Sequence, residues 1–542
     1  MSSHKRGRTD GHLSKEQHNA GGGSALSSTQ VQGFSFGSGG NADPFPSGGG
    51  MALAGNDTLT ARKIARKGAA RMRLLNKKFK DAVAGVLAKD GEADLTFMVA
   101  DYLSYSTRVR QTFLADHGQV HMCGNGDCGQ LGFGTEEMRD MEVKAPRLLP
   151  GLAKHRVVTV ACGGIANAAL TESGRVFTWG SSDDGGLGRP GGPDAPEQFP
   201  GEVKEGLEEA TIVALASGDC QTMALDISGR VYGWGCYKDK EGKQWFQPPS
   251  GKGSKACKGA SKSPVVISGL PSDVVDIKCG ASFCVALTSK GGVLSWGIGE
   301  TGELGRGVCS MKVPPVSGSD DEPPYDFDGI LRDHLTPGGM YREGEAAVGG
   351  GARMEEVKAI GCGEYHSLVV TRADADVYAC GLNSYGQLGL GDTDNRERLA
   401  LVEDLAGLNT MAAAGGAQHS LVLTTEGLFS FGRNDSGQLG CTASLSKDDW
   451  GAFEKNPMEV HLPEDAGNPV KVECGTYHCL VTTDKYELYT WGFGDTCALG
   501  HGNDTDYSLP KRVDTKKRGI TKVLDADGGG QHSAILGETA NS

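Results

Sequence analysis

Short apolar runs recur along most of this chain, and glycine opens and closes nearly all of them. One kind of run starts at a glycine and soon becomes apolar: "CGGIANAAL", "SGDCQTMAL", "CGASFCVAL", "CGEYHSLVV", "GGAQHSLVL", "CGTYHCLVT" and "GGGQHSAIL". Its anchors are Gly163, Gly218, Gly280, Gly363, Gly416, Gly475 and Gly529, at intervals of 55, 62, 83, 53, 59 and 54 residues. Between anchors lies a second kind of run, of the type "GRVFTW", leading into a glycine-bounded turn that ends in Leu-Gly: "TWGSSDDGGLG", "SWGIGETGELG", "ACGLNSYGQLG", "SFGRNDSGQLG", "TWGFGDTCALG". β-Branched, aromatic and small residues alternating between such turns predict short antiparallel strands. A unit of about 50–60 residues with four of these strands is a propeller blade.

The count predicts closure. The first unit, "QVHMCGNGDCGQLGFG", has only the second half, and the last, "GGGQHSAIL", only the first. Seven first halves and seven second halves, one of them irregular, therefore make an all-β, seven-bladed β-propeller over residues 116–538. Pairing of the N- and C-terminal half-blades removes an exposed sheet edge. The 83-residue interval holds an insertion over 308–351, rich in Pro, Gly and acid ("VPPVSGSDDEPPYDFDG"), which is expected to be a surface loop, at least partly mobile.

Composition adds limits. Gly makes up 84 of 542 residues, and these sit in recurring turns rather than in a collagen period. No run of ~18 apolar residues exists, so no transmembrane helix and no membrane partner is expected. "MSSHKRGRTDGHLSKEQ" lacks the apolar core of a secretory signal. The 15 cysteines then read as reduced thiols of a cytosolic or nuclear protein. Three pairs are spaced Cys-x4-Cys (Cys123/Cys128, Cys279/Cys284, Cys474/Cys479), but they fall on repeat positions. They are taken as small buried hydrophobes, with neither a metal nor a cofactor expected. Charge divides the chain: residues 1–80 carry 13 Lys+Arg against 4 Asp+Glu, leaving 41 against 64 for the remainder of totals of 54 and 68. A basic arm that can bind nucleic acid precedes an acidic body that will not.

One unit breaks the rule. After "GRVYGWG", the stretch "CYKDKEGKQWFQPP" never reaches Leu-Gly. With the "CGxxHS…AL" and "WGxxxxGQLG" halves over 117–537, the chain resembles the regulator of chromosome condensation family, guanine nucleotide exchange factors for the small GTPase Ran. In that family one blade replaces its turn with a β-wedge that enters the GTPase beside its phosphate-binding loop. The resemblance implies that Tyr237, Lys238, Asp239, Lys240, Glu241 and Gly242 form this wedge in the third blade. Asp239 would compete for the P-loop lysine, while Tyr237 and Lys238 would pack on displaced switch residues. Exchange needs no bond chemistry, only contacts that favour the nucleotide-free GTPase. The competing reading is a tolerated surface insertion.

The same resemblance implies a GTPase-binding face made by loops that follow the anchor glycines. Asp127, Asp219, His419 and His532 match the family pattern. Ser282 stands where an Asp is expected, and Phe283, Ala166 and Gln221 replace histidines. For each histidine, including His366 and His478, the alternative is structural, with the ring bonding an adjacent blade.

The arm divides in two. Residues 1–56 are Gly/Ser-rich, poor in apolar residues and expected to be disordered. "KRGR", with Lys5, Arg6 and Arg8, fits a short nuclear-import signal. Residues 57–115 carry helix formers, with Leu75, Phe79, Val83, Val86 and Leu87 at helical spacing. This segment, in "LLNKKFKDAV" and "ADLTFMVADYL", is similar to a nuclear-basket nucleoporin segment that binds importin α; an amphipathic helix docked on the propeller is the alternative. Arg62, Lys63, Arg66 and Lys67 are candidate phosphate contacts that would tether the protein to chromatin DNA or histones. The combined expectation is a nuclear Ran exchange factor, not an enzyme of covalent chemistry. Its rival is a non-catalytic propeller scaffold for a GTPase or chromatin, because fold does not dictate function.

Overall fold

The computed structural model describes residues 116–134, 141–191, 196–246, 258–307, 327–344, 352–441 and 452–540. The expected disordered and helical segments over 1–56 and 57–115, with Lys5, Arg6, Arg8, Arg62, Lys63, Arg66 and Lys67, lie outside the described residues.

The described residues form seven four-stranded antiparallel sheets and one two-stranded hairpin. Blades 2 to 7 begin with innermost strands Val157–Cys162, Ile212–Ser217, Val274–Cys279, Val357–Cys362, Thr410–Gly415 and Pro469–Cys474. Blade 1 is composite: Ile520–Gly528 and His532–Thr539 from the C-terminal part pair with Gln119–Asn125 and Glu142–Leu148. The closing register sets Val120 opposite Leu536 and Met122 opposite Ala534. The seven-bladed ring and its half-blade closure are as the repeat count predicts.

Each blade is pleated and apolar on both faces, so its second and third strands are buried almost continuously; Phe283–Thr288 and Val293–Gly297 are examples. Apolar residues therefore cluster between neighbouring blades. Trp179, Trp234, Trp296 and Trp491 on third strands are all under 2 % exposed. An indole N–H buried this deeply needs an acceptor. Trp179 donates to Gln130 O at 2.9 Å, Trp234 to Gly186 O at 2.7 Å and Trp491 to Gln438 O at 3.0 Å. In each case the acceptor precedes the Leu of the neighbouring blade's Leu-Gly turn, and that Leu (Leu131, Leu187, Leu439) is itself buried. The Leu-Gly turn is thus a plug between blades.

The insertion is narrower than expected. Within 308–351 an α-helix, Phe327–Leu335, sends Leu331 and Leu335 into the interior, and Gly338–Gly339 is the fourth strand of blade 4. Leu331 and Leu335 join Trp296 in one core cluster, so this part is built into the blade and is not a surface loop.

Candidate functional site

In a four-stranded antiparallel blade the first and third strands run the same way. The loops after the anchor glycines and the turns after third strands therefore open on one face. The broken unit emerges there as a hairpin, Tyr237–Lys238 paired with Gln244–Trp245. This hairpin and the anchor loops are accordingly on the same face.

Its root does what the missing turn would have done. Tyr237 is 0 % exposed, stacks on Phe246 at 5.7 Å between ring centroids, and its hydroxyl accepts the Trp296 indole N–H at 2.7 Å. Trp296 has no Leu-Gly carbonyl to bond, and the tyrosine hydroxyl replaces it. Tyr237, Trp245 and Phe246 fill the space of the absent leucine. Burial pushes the Tyr237 phenol well above its ordinary pKa. Tyr237 is therefore an inter-blade core residue and cannot, as placed here, pack on a partner's switch segment.

Asp239 is also used internally. Oδ1 accepts the Glu241 and Lys243 backbone N–H groups at 3.0 and 2.9 Å, and Oδ2 accepts the Trp245 indole N–H at 3.0 Å. With both oxygens bonded and 8 % exposure, Asp239 closes the hairpin tip and is not presented to a partner's lysine. Lys238 lies along the hairpin flank: its ammonium pairs with Asp184 at 2.7 Å, and Gln244 donates to the other Asp184 oxygen at 2.7 Å. Burial opposes ionisation of Asp184, but the Lys238 bond holds its carboxyl below the usual range. What the wedge presents is its tip: Lys240, Glu241, Gly242 and Lys243 are exposed, with a Lys243–Glu241 ion pair.

Ser282 meets the wedge directly, its Oγ accepting the Lys238 backbone N–H at 3.0 Å. Beside it lies Asp219, half-buried, its carboxyl raised by burial against the opposing charge of Lys238. A residue absent from the sequence-based expectation joins them. Glu364 follows Gly363 as Asp219 follows Gly218, and burial together with the Asp219 charge pushes its carboxyl up to about 7. Thr476 donates to Glu364 at 2.5 Å. The two carboxylates share the mouth of a central cavity of about 670 Å³. Exposed Tyr365 and Tyr477, 39 % and 38 %, stand next in sequence to Glu364 and Thr476. Asp127 is exposed in the turn of blade 1, its N–H bonded to Asn125 Oδ1 at 3.0 Å.

Deeper in the channel, Lys471 pairs with Asp525 and, at 3.2 Å, with Glu473, which Lys278 also approaches at 3.4 Å. Burial and the Glu473 charge push Asp527 up to about 7. These ion pairs join inner strands of blades 1, 4 and 7 across the opening.

The histidines do not reach the face. His419 and His532 are 0 % exposed. His532 Nε2 bonds Asn167 Oδ1 at 2.6 Å, His366 bonds Ser420 at 2.8 Å and His478 bonds Ser533 at 2.8 Å, each crossing to the next blade. His419 makes the same crossing to Cys479 Sγ at 3.2 Å. Burial holds His366 and His478 down to about 3 and His532 to about 4, so these rings are neutral. Each anchor glycine makes room for its ring: a Cβ on Gly416 would stand 2.2 Å from His419 Cε1. As placed, the histidines are inter-blade clips that set the loops above them, and Gln221 fills the same slot by donating to Gly280 O at 2.9 Å.

The face therefore combines a rigid ring, an anchored hairpin with a charged tip, and an acidic, aromatic-edged channel mouth. This geometry defines a seven-bladed propeller with one projecting hairpin. Residues 119–535 match the family model described as RCC1-like domain, and the chain belongs to that family. It is similar to the human Regulator of chromosome condensation, with 30 % identity over 448 residues covering 81 % of this chain and 95 % of that one. It is also similar to the guanine nucleotide exchange factor SRM1 of Saccharomyces cerevisiae, 26 % identical over 457 residues, covering 76 % and 86 %. Among solved structures, Prp20p of Saccharomyces cerevisiae, described with its binding to Gsp1p and histones, superposes with a TM-score of 0.65 at 25 % identity, covering 80 % of this chain and 94 % of that one.

Proposed function

We propose that this protein is a nuclear guanine nucleotide exchange factor for a Ran-type GTPase. In this reading the GTPase docks on the wedge-bearing face, and the tip Lys240–Lys243 displaces contacts that hold the nucleotide. The observation that carries the reading is the replacement of a Leu-Gly plug by a hairpin whose root is packed and whose tip is exposed, on a face shared with Asp219 and Glu364. A projection with a rigid base can hold differential contacts to the nucleotide-free state, whereas a floppy insertion would lose them to entropy. The acidic mouth suits a basic partner surface, with Asp127, Asp219 and Glu364 steering association. His419 and His532 act through the loops they hold. No bond is made or broken, so the protein is an exchange factor and not an enzyme of covalent chemistry.

The basic segment over 1–80 supports a further part of the proposal: tethering to chromatin phosphates or histones, with importin α engaged by the same arm for nuclear entry. Such phosphate binding weakens steeply with salt.

Release of labelled GDP from purified Ran, with and without this protein, tests the reading. Replacing Lys240–Lys243 with Gly-Ser residues, with Tyr237, Asp239 and Trp245 left in place, is expected to abolish the acceleration and leave the thermal melt unchanged. Acceleration retained at the wild-type rate would remove the wedge assignment. A wild type that binds Ran without releasing GDP would establish the scaffold reading, which the serine at position 282 favours.

A further inference from the structure

The crossing bond from blade 6 to blade 7 differs from its counterparts in chemistry. From blades 5, 7 and 1 the histidine meets Ser420, Ser533 and Asn167, oxygen partners suited to an imidazole N–H. From blade 6 it meets a sulfur, Cys479, and a second sulfur stands across the strand pair: Cys474 Sγ lies 4.0 Å from Cys479 Sγ. Cys474 and Cys479 are directly opposite in register. The His419 nitrogen and both sulfurs lie within 4.8 Å of one another.

We propose that His419, Cys474 and Cys479 form a binding site for a thiolate-preferring d¹⁰ ion such as Zn²⁺, clamping blade 6 to blade 7. Bonds of about 2.3 Å to sulfur and about 2.0–2.1 Å to nitrogen give tetrahedral edges of roughly 3.8 Å between sulfurs and roughly 3.5 Å between sulfur and nitrogen. The 4.0 and 3.2 Å separations lie near two of these edges, and the third, between Cys474 Sγ and the His419 nitrogen, closes to its edge from within 4.8 Å. Cys474, unlike Cys479 and His419, lines the central cavity, and the ion and a water as fourth ligand would enter from that side. Two thiol protons leave to solvent as the ion binds, and a neutral imidazole coordinating through Nε2 carries its one proton on Nδ1. The resulting group is neutral overall, which burial tolerates far better than an isolated charge.

The molecule contains its own control. Blade 4 carries the same Cys-x4-Cys pair, Cys279 and Cys284, with sulfurs 3.3 Å apart, but the slot that His419 occupies in blade 6 holds Gln221 in blade 3. That pair lacks the nitrogen ligand. Another cluster of suitable atoms, Asp184, Cys220 and Cys236, already has a cation, because the Lys238 ammonium sits 2.7 Å from Asp184.

The test uses the full chain stripped by chelator, then titrated with Zn²⁺ against a competing indicator and with Co²⁺ for the thiolate-to-metal charge-transfer band. One strong site is expected, with a higher melting temperature in Zn²⁺. Cys479→Ser restores the residue other blades use, and His419→Gln copies the Gln221 slot, so both should fold. Since disturbing even an outer-shell partner costs 10–100-fold in affinity, losing a direct ligand should cost at least about 100-fold. Cys284→Ser should bind as the wild type does. Absence of a strong site in the folded wild type, unchanged affinity in both Cys479→Ser and His419→Gln, or equal loss in Cys284→Ser would overturn the proposal.

Discussion

The turn of blade 6 and the wedge of blade 3 occupy equivalent places in the repeat and solve one packing problem in two ways. In blade 6, Leu439 fills the gap to blade 7, Gln438 O accepts the Trp491 indole, and Gly440 lies flat against that ring. In blade 3 these tasks pass to Tyr237, Trp245 and Phe246, and the tyrosine hydroxyl takes the indole N–H of Trp296. The compact turn ends once the gap is filled, whereas the hairpin continues past its plug and projects a tip into solvent. A repeat can gain a projecting element only if the inserted residues also restore the contact they replace.

The strongest way to break this comparison is to remove the plug. Tyr237→Ala opens a cavity and orphans the Trp296 N–H, and should destabilise the protein by about 3–5 kcal/mol, comparable to Leu439→Ala at about 2–5 kcal/mol. Tyr237→Phe keeps the ring and loses only the acceptor, for about 1–3 kcal/mol. Urea unfolding of the three variants would check the ranking; a Tyr237→Ala protein as stable as the wild type would mean the hairpin root is not a plug.

Glycine substitutions probe the other end of each element. Gly440 has φ +66° and its Cβ position is 2.5 Å from Trp491 Nε1, so alanine there is strained and also displaces the indole. Gly242 at the wedge tip has φ +76° with nothing within 4 Å. Gly242→Ala should cost only the left-handed backbone penalty, about 1–2 kcal/mol, and Gly440→Ala clearly more. Equal losses in thermal unfolding would show that the turn's glycine is not pressed against its neighbour.

Charge at the channel mouth offers a gentler test. Glu364 has its folded pKa raised from 4.5 to about 7, so the folded protein holds a proton that the unfolded chain releases. Its contribution to stability is full below about 4.5, declines as pH rises through this window, and is lost above about 7. Glu364→Gln should remove that slope, so a difference in melting temperature between variant and wild type that grows from pH 4.5 to 7 is expected. The wedge enters here through Lys238, whose charge favours ionised Asp219.

The smallest effect concerns the wedge's seat. Ser282→Ala removes one hydrogen bond to the hairpin backbone and should cost about 0.5–1.5 kcal/mol. Ser282→Asp keeps the acceptor and adds the carboxylate that the family pattern expects; under the proposed function it should speed GDP release, measured by stopped flow with a fluorescent analogue.

Much of the architecture was legible because the repeat is written in residues that tolerate few substitutes. Glycine at left-handed turn positions, a Trp or Phe on many third strands and the Leu-Gly plug recur at visible intervals, and their count alone implies seven blades closed by split halves. The departure at Tyr237–Trp245 was equally visible as the one unit without Leu-Gly. What its residues do was not. Tyr237 is bonded to Trp296, 59 positions away, and Asp239 closes a hairpin whose ladder no spacing announces. Glu364 is marked in the sequence by its place, directly after its anchor glycine as Asp219 is. For the histidines, sequence left a face role and a clip role open, and burial against the next blade decided between them. Local pattern set the strands, the turns and their number, because those depend on backbone conformation and on which side chains can be buried. Only the closed ring decided which side chains remain at the surface and which meet one another, because each blade borrows its last contacts from its neighbour.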